Sequence, residues 1–168
     1  MTLASLNAAD RAAFVAALGH LFEHSPWVAE ETWPQRPFVS REALHATLCA
    51  TMCGAARERQ LALIRAHPDL AGRLAQQKKL TAESTREQAS AGLDQLTDAE
   101  LAVFTTQNRA YKEKFGFPFI ICARLNAKSA ILTAMEKRVE HPPEVEFATA
   151  LGEIEKIAWL RLQDAVKP

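Results

Sequence analysis

The sequence predicts an all-α protein, and the spacing of its apolar residues is the main reason. Apolar side chains recur at helical intervals through almost every segment, as at Phe14, Leu18 and Leu21. No segment shows the sustained alternation of apolar and polar residues that is typical of a half-buried strand. The 168 residues are 48% hydrophobic, which is enough to bury a core. We therefore predict one compact domain over residues 1–168, built from about seven or eight helices.

The charge balance of the chain excludes several classes of function. It carries 20 basic and 20 acidic residues, so its formal net charge is zero. Nucleic-acid-binding proteins usually carry a basic excess or a basic stripe. No apolar run approaches the roughly 20 residues that a membrane span needs, and the N-terminus lacks the pattern of a secretory signal. We expect no nucleic-acid partner, no membrane insertion and a cytoplasmic location.

Capping residues and helix breakers predict where the helices of the first third begin and end. We expect Asn7 to cap a first helix that stops at Ser25-Pro26. Ser40 has the position of an N-cap for the next long helix, and Gly54 is a plausible break at its end.

The same signals continue through the rest of the chain. Two S/T-x-x-E capping boxes, at residues 84–87 and 97–100, predict two helix starts, and the second helix is expected to stop near Gly116. Ser129 is expected to cap another helix. His141-Pro142-Pro143 then separates that helix from the final one.

One apolar stretch does not fit a helix. The sequence FGFPFIIC, residues 115–122, places Pro118 among Phe and Ile residues. Proline lacks the backbone N–H that a helix interior needs. We predict a buried non-helical segment near residues 116–122, where backbone N–H and C=O groups are not used up by a helix.

His67 is the best candidate for acid/base chemistry. It ends an apolar helical run and precedes Pro68, which disfavours helical geometry in the residue before it. A lone histidine is usually structural, but an imidazole held outside a helix can exchange protons near neutral pH. Asp69 either tunes the proton affinity of His67 or caps a short helix predicted to run through Leu74.

Glu87 and Arg161 each allow a structural and a functional interpretation. Glu87 closes the predicted capping box with Ser84, which explains it without any chemistry. The start of that helix, residues 84–88, would also expose N–H groups suited to an anionic or carbonyl-bearing ligand. Arg161 lies on the apolar face of the final helix, either as a surface arginine with a buried stem or as a buried guanidinium directed at a carboxylate.

A zinc site is an alternative that the motifs raise. His20-Leu21-Phe22-Glu23-His24 matches His-x-x-Glu-His, which on a helix would place two imidazoles on one face. No acidic third ligand stands out downstream, so we predict no metal. A zinc-dependent hydrolase using His20, Glu23 and His24 stays open, as does a non-catalytic helical interaction module in which His67 and Glu87 are only a turn and a cap.

Four stretches together resemble one known family. They are RAHPDLAG at 65–72, LTAESTREQASAGL at 80–93, FGFPFIICAR at 115–124 and EIEKIAWLRL at 153–162. They are similar to OHCU decarboxylases, where OHCU is 2-oxo-4-hydroxy-4-carboxy-5-ureidoimidazoline, an intermediate of urate breakdown. The resemblance covers nearly the whole chain and implies an all-α fold.

The resemblance also implies an activity and a set of site residues. The implied enzyme is a carboxy-lyase that turns OHCU into (S)-allantoin without metal or organic cofactor. It implies three catalytic residues: His67 as acid/base, Glu87 as its partner and Arg161 as a positioning residue. The implied substrate-binding residues are Pro68, Ser84, Thr85, Arg86, Glu87, Gln88, Phe119, Ile120, Ile121, Cys122 and Ala123. The expected partner is the small-molecule substrate, with a homodimer possible.

Overall fold

The computed structural model describes residues 1–72 and 79–167. In this part of the chain there are nine α-helices: α1 (Leu3–Ala8), α2 (Arg11–Leu18), α3 (Trp27–Thr32), α4 (Arg41–Gly54), α5 (Arg57–Ala66), α6 (Ala82–Ser90), α7 (Asp98–Phe115), α8 (Lys128–Arg138) and α9 (Pro143–Ala165). Two 3-10 turns, Trp33–Gln35 and Ala123–Leu125, complete the regular structure of these residues. The prediction of an all-α fold is confirmed. None of the described helices is long and apolar enough to span a membrane.

The chain forms two compact units. One contains Met1–Ala66 and the residues from Glu155 onward, and the other contains His67–Ile154. The prediction of a single domain over residues 1–168 stays a prediction.

The first unit has a core in which α3 packs on both α2 and α4. Phe14, Leu18, Leu48 and Met52 are fully buried there. Burial of each such side chain contributes on the order of 2 kcal/mol, so the periodic apolar residues of α2 and α4 account for why these helices pack together.

The predicted first helix is two helices, and its cap is wrong. Thr2 caps α1 and Asp10 caps α2, while Asn7 lies inside α1. The Asn7 side chain instead donates to the Phe38 carbonyl at 2.8 Å and accepts from the Phe38 N–H at 2.9 Å. The predicted end at residues 25–26 is also wrong, because α2 already ends at Leu18.

Other predicted helix ends agree with the structure. Ser40 caps α4 by accepting from the Ala43 N–H, and α4 ends at Gly54. α7 begins with the predicted box of Thr97 and Glu100 and is followed by Gly116 in the left-handed conformation, at φ 74°.

The boundaries of α8 are a mixed result. The helix begins at Lys128 after Ala127, which provides no capping side chain, so the prediction of Ser129 as the cap is wrong. The predicted break at residues 141–143 is confirmed, since α8 ends at Arg138 and α9 begins at Pro143, a helix position that tolerates proline.

The second unit buries the predicted non-helical segment. Residues 117–122 are non-helical, and residues 117–123 are all buried. The Tyr111 ring of α7 meets Phe119 edge to face, with centroids 5.2 Å apart and an interplanar angle of 87°. The prediction of a buried segment near residues 116–122 is confirmed. Its apolar side chains, with the α7–α8 contact, make the core of this unit.

Candidate active site

His67 lies just outside the helix, as the effect of Pro68 on the preceding residue predicts. α5 ends at Ala66, and His67 begins an irregular turn that runs to Gly72. The His67 side chain is buried, at 7% exposure. An imidazole in a non-helical turn is directed by that turn, so the contacts of residues 67–72 decide where the ring points.

The turn holds a strained residue that Gln88 stabilises. Ala71 has a φ of 50°, in the left-handed region that costs an alanine roughly 1 kcal/mol. Its N–H donates to Gln88 Oε1 at 2.9 Å, and Gln88 Nε2 donates to the Asp69 carbonyl at 3.4 Å. A Cβ on Gly72 would lie 2.6 Å from the Asp69 Cβ, so the tight turn requires glycine there. Such a conformation persists when its neighbours fix it.

Two residues of α7 hold the same turn. Asn108 is 5% exposed and donates from Nδ2 to the Leu70 carbonyl at 2.8 Å. Lys112 Nζ lies 3.0 Å from Asp69 Oδ2 in a partly exposed ion pair. Asp69 therefore has a structural partner of its own. The short helix predicted through Leu74 lies outside the described residues.

The predicted capping box of Ser84 and Glu87 is wrong. The cap of α6 is Thr81, whose side chain accepts from the Ser84 N–H at 3.2 Å. Glu87 therefore lies within the helix, half-buried, and capping does not explain it. The Thr85 N–H already donates to the Thr81 carbonyl at 2.9 Å, so from Thr85 onward the N–H groups are not those of the open helix start that residues 84–88 were predicted to offer.

The α6 side chains that were predicted to bind the substrate lie on two faces of the helix, one buried and one exposed. Ser84 and Gln88 are buried and, being four residues apart, share a face with Glu87. Thr85 and Arg86 are exposed. The Thr85 hydroxyl donates to the Thr81 carbonyl, and Arg86 pairs with Glu83 at 3.5 Å. The buried face is the part of α6 suited to bind a ligand.

α6 also contacts the non-helical segment. It packs against the Ala123–Leu125 turn. Burial raises the pKa of the Cys122 thiol, and the negative charges of Glu153 and Glu87 raise it further. The Glu87 carboxylate is thus close enough to Cys122 to act on it electrostatically. One helix therefore joins the His67 turn, through Gln88, to residues 119–123, through Glu87.

Some residues of this segment have backbone groups in hydrogen bonds, and the residues between them do not. Arg138 Nη1 donates to the Ile120 carbonyl at 2.8 Å, and the Cys122 N–H donates to Glu153 Oε2 at 2.8 Å. Within residues 1–72 and 79–167, no hydrogen bond of the structure uses the backbone groups of Phe119 or Ile121. Both residues are buried. Buried backbone groups need partners, so these are the groups of the segment suited to a ligand.

Arg161 lies in the first unit as a buried guanidinium. It is 4% exposed, and its Nη1 lies 3.1 Å from Glu23 Oε2. The same nitrogen donates to the carbonyls of His20 at 3.2 Å and Leu21 at 3.4 Å. Of the two interpretations, the buried arginine directed at a carboxylate is confirmed. Its predicted role with substrate stays a prediction.

The zinc alternative loses its structural basis. Because α2 ends at Leu18, His20 and His24 are exposed turn residues and do not share a helix face. Glu23 is buried against Arg161. Within residues 1–72 and 79–167, no group of three or more His, Cys, Asp or Glu side chains is arranged to hold a metal ion.

Sequence reasoning missed the residues behind the site. Asn108, Arg138 and Glu153 bind the backbone of the two predicted segments, but none of them was predicted as a site residue, although Glu153 opens the EIEKIAWLRL stretch. Asn108 gave a usable signal, because it lies at helical spacing among Phe104 and Tyr111, where an apolar residue is the norm.

Comparison with known proteins gives a consistent set of matches. The OHCU decarboxylase family profile matches residues 7–163. A 2-oxo-4-hydroxy-4-carboxy-5-ureidoimidazoline decarboxylase of Halalkalicoccus jeotgali is 45% identical over 168 residues, which are 100% of this chain and 93% of that protein. The protein of the same name from Mus musculus is 41% identical over 98% of this chain and 92% of its own.

Solved structures extend the match to the fold. A crystal structure of (S)-allantoin synthase has a TM-score of 0.78 and 33% identity over 99% of this chain and 54% of that chain. This chain thus spans about half the length of that protein. A crystal structure of OHCU decarboxylase in the presence of (S)-allantoin has a TM-score of 0.69 over 93% and 97% of the two chains, and its 24% identity shows a shared fold.

Proposed function

Because the chain belongs to the OHCU decarboxylase family, we propose that it is a carboxy-lyase that converts OHCU into (S)-allantoin and CO2 in urate breakdown. The observation that carries the site is the position of α6. Its Gln88 bonds to the turn that holds His67, and its Glu87 acts on Cys122. Three stretches that are distant in sequence thus belong to one group of contacts.

The chemistry can proceed on the substrate's own ring. When the bond from C4 to the carboxylate breaks, CO2 leaves and the electron pair forms a C4–C5 double bond. The former C5=N pair moves to the ring nitrogen, which takes up a proton. The C4 hydroxyl then gives up its proton and becomes a carbonyl while C5 gains one, which completes allantoin. The substrate supplies the electron sink for which many decarboxylases use a cofactor.

The protein's residues orient the substrate and move protons. We assign to His67 the proton exchange with the C4 hydroxyl, since an imidazole can both accept and donate a proton. Glu87 holds that hydroxyl from the buried face of α6. Backbone groups of Phe119 and Ile121 bind the amide-like edges of the ring and ureido arm. Proton delivery to one face of C5 gives the S product.

The remaining assignments are part of the same proposal. Pro68, Ser84 and Gln88 complete the substrate-binding set, and the role of Arg161 as a positioning residue stays a prediction from the sequence. The proposed partner is the substrate itself. A homodimer and a cytoplasmic location stay predictions from the sequence.

Freshly generated OHCU tests the function. Allantoin formation is followed by circular dichroism, because spontaneous decay gives a racemate. We expect an excess of (S)-allantoin from the wild type and a loss of at least about 100-fold in turnover for His67→Asn, the scale of a lost general acid/base. His24→Asn is the matched control, since it replaces an exposed histidine at a φ of 47° that asparagine tolerates.

Each arm has a result that contradicts the proposal. A racemic product from the folded wild type overturns the activity. Turnover of His67→Asn within a few-fold of wild type removes His67 from the mechanism. A large loss for His24→Asn, together with inhibition by a chelator, would restore the zinc alternative.

A further inference from the structure

Arg138 and Glu146 form a buried ion pair that contacts the non-helical segment. The proposed mechanism does not use this pair. Glu146 is 0% and Arg138 is 8% exposed. Arg138 donates from Nε to Glu146 Oε1 at 2.8 Å and also from Nη2. The Tyr111 hydroxyl donates to the same oxygen, and His141 Nδ1 lies 2.9 Å from Oε2. The carboxylate is thus paired on both oxygens.

The remaining contacts of Arg138 reach the segment itself. Its Nη1 donates to the Ile120 carbonyl at 2.8 Å. Its guanidinium carbon lies 4.3 Å from the centroid of the Phe119 ring, in a cation–π contact. One side chain therefore fixes both a backbone group and a ring of residues 119–120.

Stability alone is a poor explanation for this pair. A buried ion pair costs so much desolvation that apolar residues of similar volume often serve the fold as well or better. The planar fork of arginine, in contrast, can satisfy a carboxylate and a carbonyl at once in fixed geometry. The contact with Ile120 is the feature that an apolar replacement would lose.

The Ile120 contact holds one backbone group in the middle of the segment. Arg138 takes the Ile120 carbonyl, and Glu153 takes the Cys122 N–H. Among the described residues, no hydrogen bond uses the backbone groups of Phe119 or Ile121, which flank Ile120.

We propose that Arg138 is a positioning residue for the decarboxylation, one that fixes the register in which residues 119–121 meet the substrate. The inference rests on the proposed function, because the ring and ureido amides of OHCU are the groups that this register would match. Arg138 acts through Ile120 and does not touch the reacting atoms.

The test is the double variant Arg138→Met/Glu146→Gln. Removing the arginine alone would leave a buried carboxylate unpaired, and the second change avoids that penalty. The matched control is Tyr111→Phe, which removes a hydrogen bond to Glu146 from the same cluster but leaves the Ile120 contact intact. The measured quantity is KM for OHCU, since KM does not depend on what fraction of the enzyme is folded.

We expect KM to rise about tenfold or more in the double variant, the scale of one misplaced set of hydrogen bonds, and to stay within twofold in Tyr111→Phe. A KM within twofold of wild type in the folded double variant overturns the inference. So does an equal rise in Tyr111→Phe.

Arg138→Lys decides the question if the double variant does not fold. Lysine keeps a positive charge against Glu146 but lacks the fork that reaches the carboxylate and Ile120 together. A fivefold or larger rise in KM supports the inference, and an unchanged KM overturns it. A wild type that forms no (S)-allantoin overturns the proposed function and this inference with it, whereas the variant results overturn the inference alone.

Discussion

The two segments of the candidate site are held by different chemistry. The turn at residues 67–72 is held largely by the neutral amides of Gln88 and Asn108. The segment at residues 119–122 is held by the charged groups of Arg138 and Glu153. Neutral hydrogen bonds contribute about 1 kcal/mol each, and those to charged groups about 1.5–3. The difference teaches that residues 119–122, whose backbone we propose to bind the substrate, are the more firmly held of the two segments.

The two segments also differ in the charge of the side chains that bond to their backbone. The amide side chains of Gln88 and Asn108 add no net charge beside the His67 turn. In the other segment, burial and the negative charges of Glu153 and Glu87 raise the pKa of Cys122. The Cys122 thiol therefore ionises at a higher pH than an ordinary thiol does. A neutral thiol is a weak nucleophile, so the Cys122 side chain is not suited to act as one.

The first unit repeats the charged arrangement. Arg161 pairs with the buried Glu23 and also donates to the carbonyls of residues 20 and 21, as Arg138 pairs with Glu146 and donates to Ile120. In both units an arginine fixes a non-helical backbone through its carbonyls, and a buried glutamate offsets its charge.

Among variants that test the comparison of the two segments, we expect Glu87→Gln to have the largest effect on turnover. Because we propose that Glu87 holds the C4 hydroxyl of the substrate, the change should lower turnover by about 100-fold. Because Glu87 is not a cap, the melting temperature should move by about 2 °C or less. The pKa of Cys122 should fall toward its ordinary value, because a negative charge that opposes the thiolate is gone. Turnover, thermal melting and the ¹³Cβ shift of labelled Cys122 against pH measure the three effects.

The matched control for that change is Glu83→Gln on the same helix, whose charge pairs with Arg86 at the surface. Its turnover and Cys122 titration should match wild type. A melting temperature that falls strongly in Glu87→Gln with turnover retained would favour the structural interpretation of Glu87.

A smaller effect is expected from Asn108→Leu. The change keeps the branched shape of the side chain but leaves the Leu70 carbonyl without its donor, so the turn can shift and misplace His67. We expect kcat to fall about tenfold. Phe104→Leu, in the core of the same helix, controls for lost stability. If both variants lose the same activity at equal folded fraction, the hydrogen bond from Asn108 to Leu70 has no special role in positioning His67.

Local sterics explain what was predictable from the sequence. Pro68 forces His67 out of α5, and Pro118 keeps residues 117–122 out of a helix, so both segments follow from a single residue type. The start of α6 was not decidable in this way. Thr81 and Ser84 are both capping residues with a suitable partner three positions on, and the Glu at position 87 favoured the wrong one.

The supports of the site depend on tertiary contacts that no local pattern encodes. Asn108 meets Leu70 across 38 residues, and Cys122 meets Glu153 across 31. The pairing of Arg161 with Glu23 spans 138 residues. It also explains why the His-x-x-Glu-His match was misleading: its glutamate serves as the buried partner of an arginine.

A backbone NMR titration of the ¹⁵N-labelled wild type with (S)-allantoin tests the central claim most directly. The proposed product should shift the amides of residues 67 and 69–72, of Gln88 and of Phe119 and Ile121 together, with one common affinity, and (R)-allantoin should bind more weakly. Shifts confined to residues outside these three segments, or separate affinities for the segments, would contradict a single site built around α6.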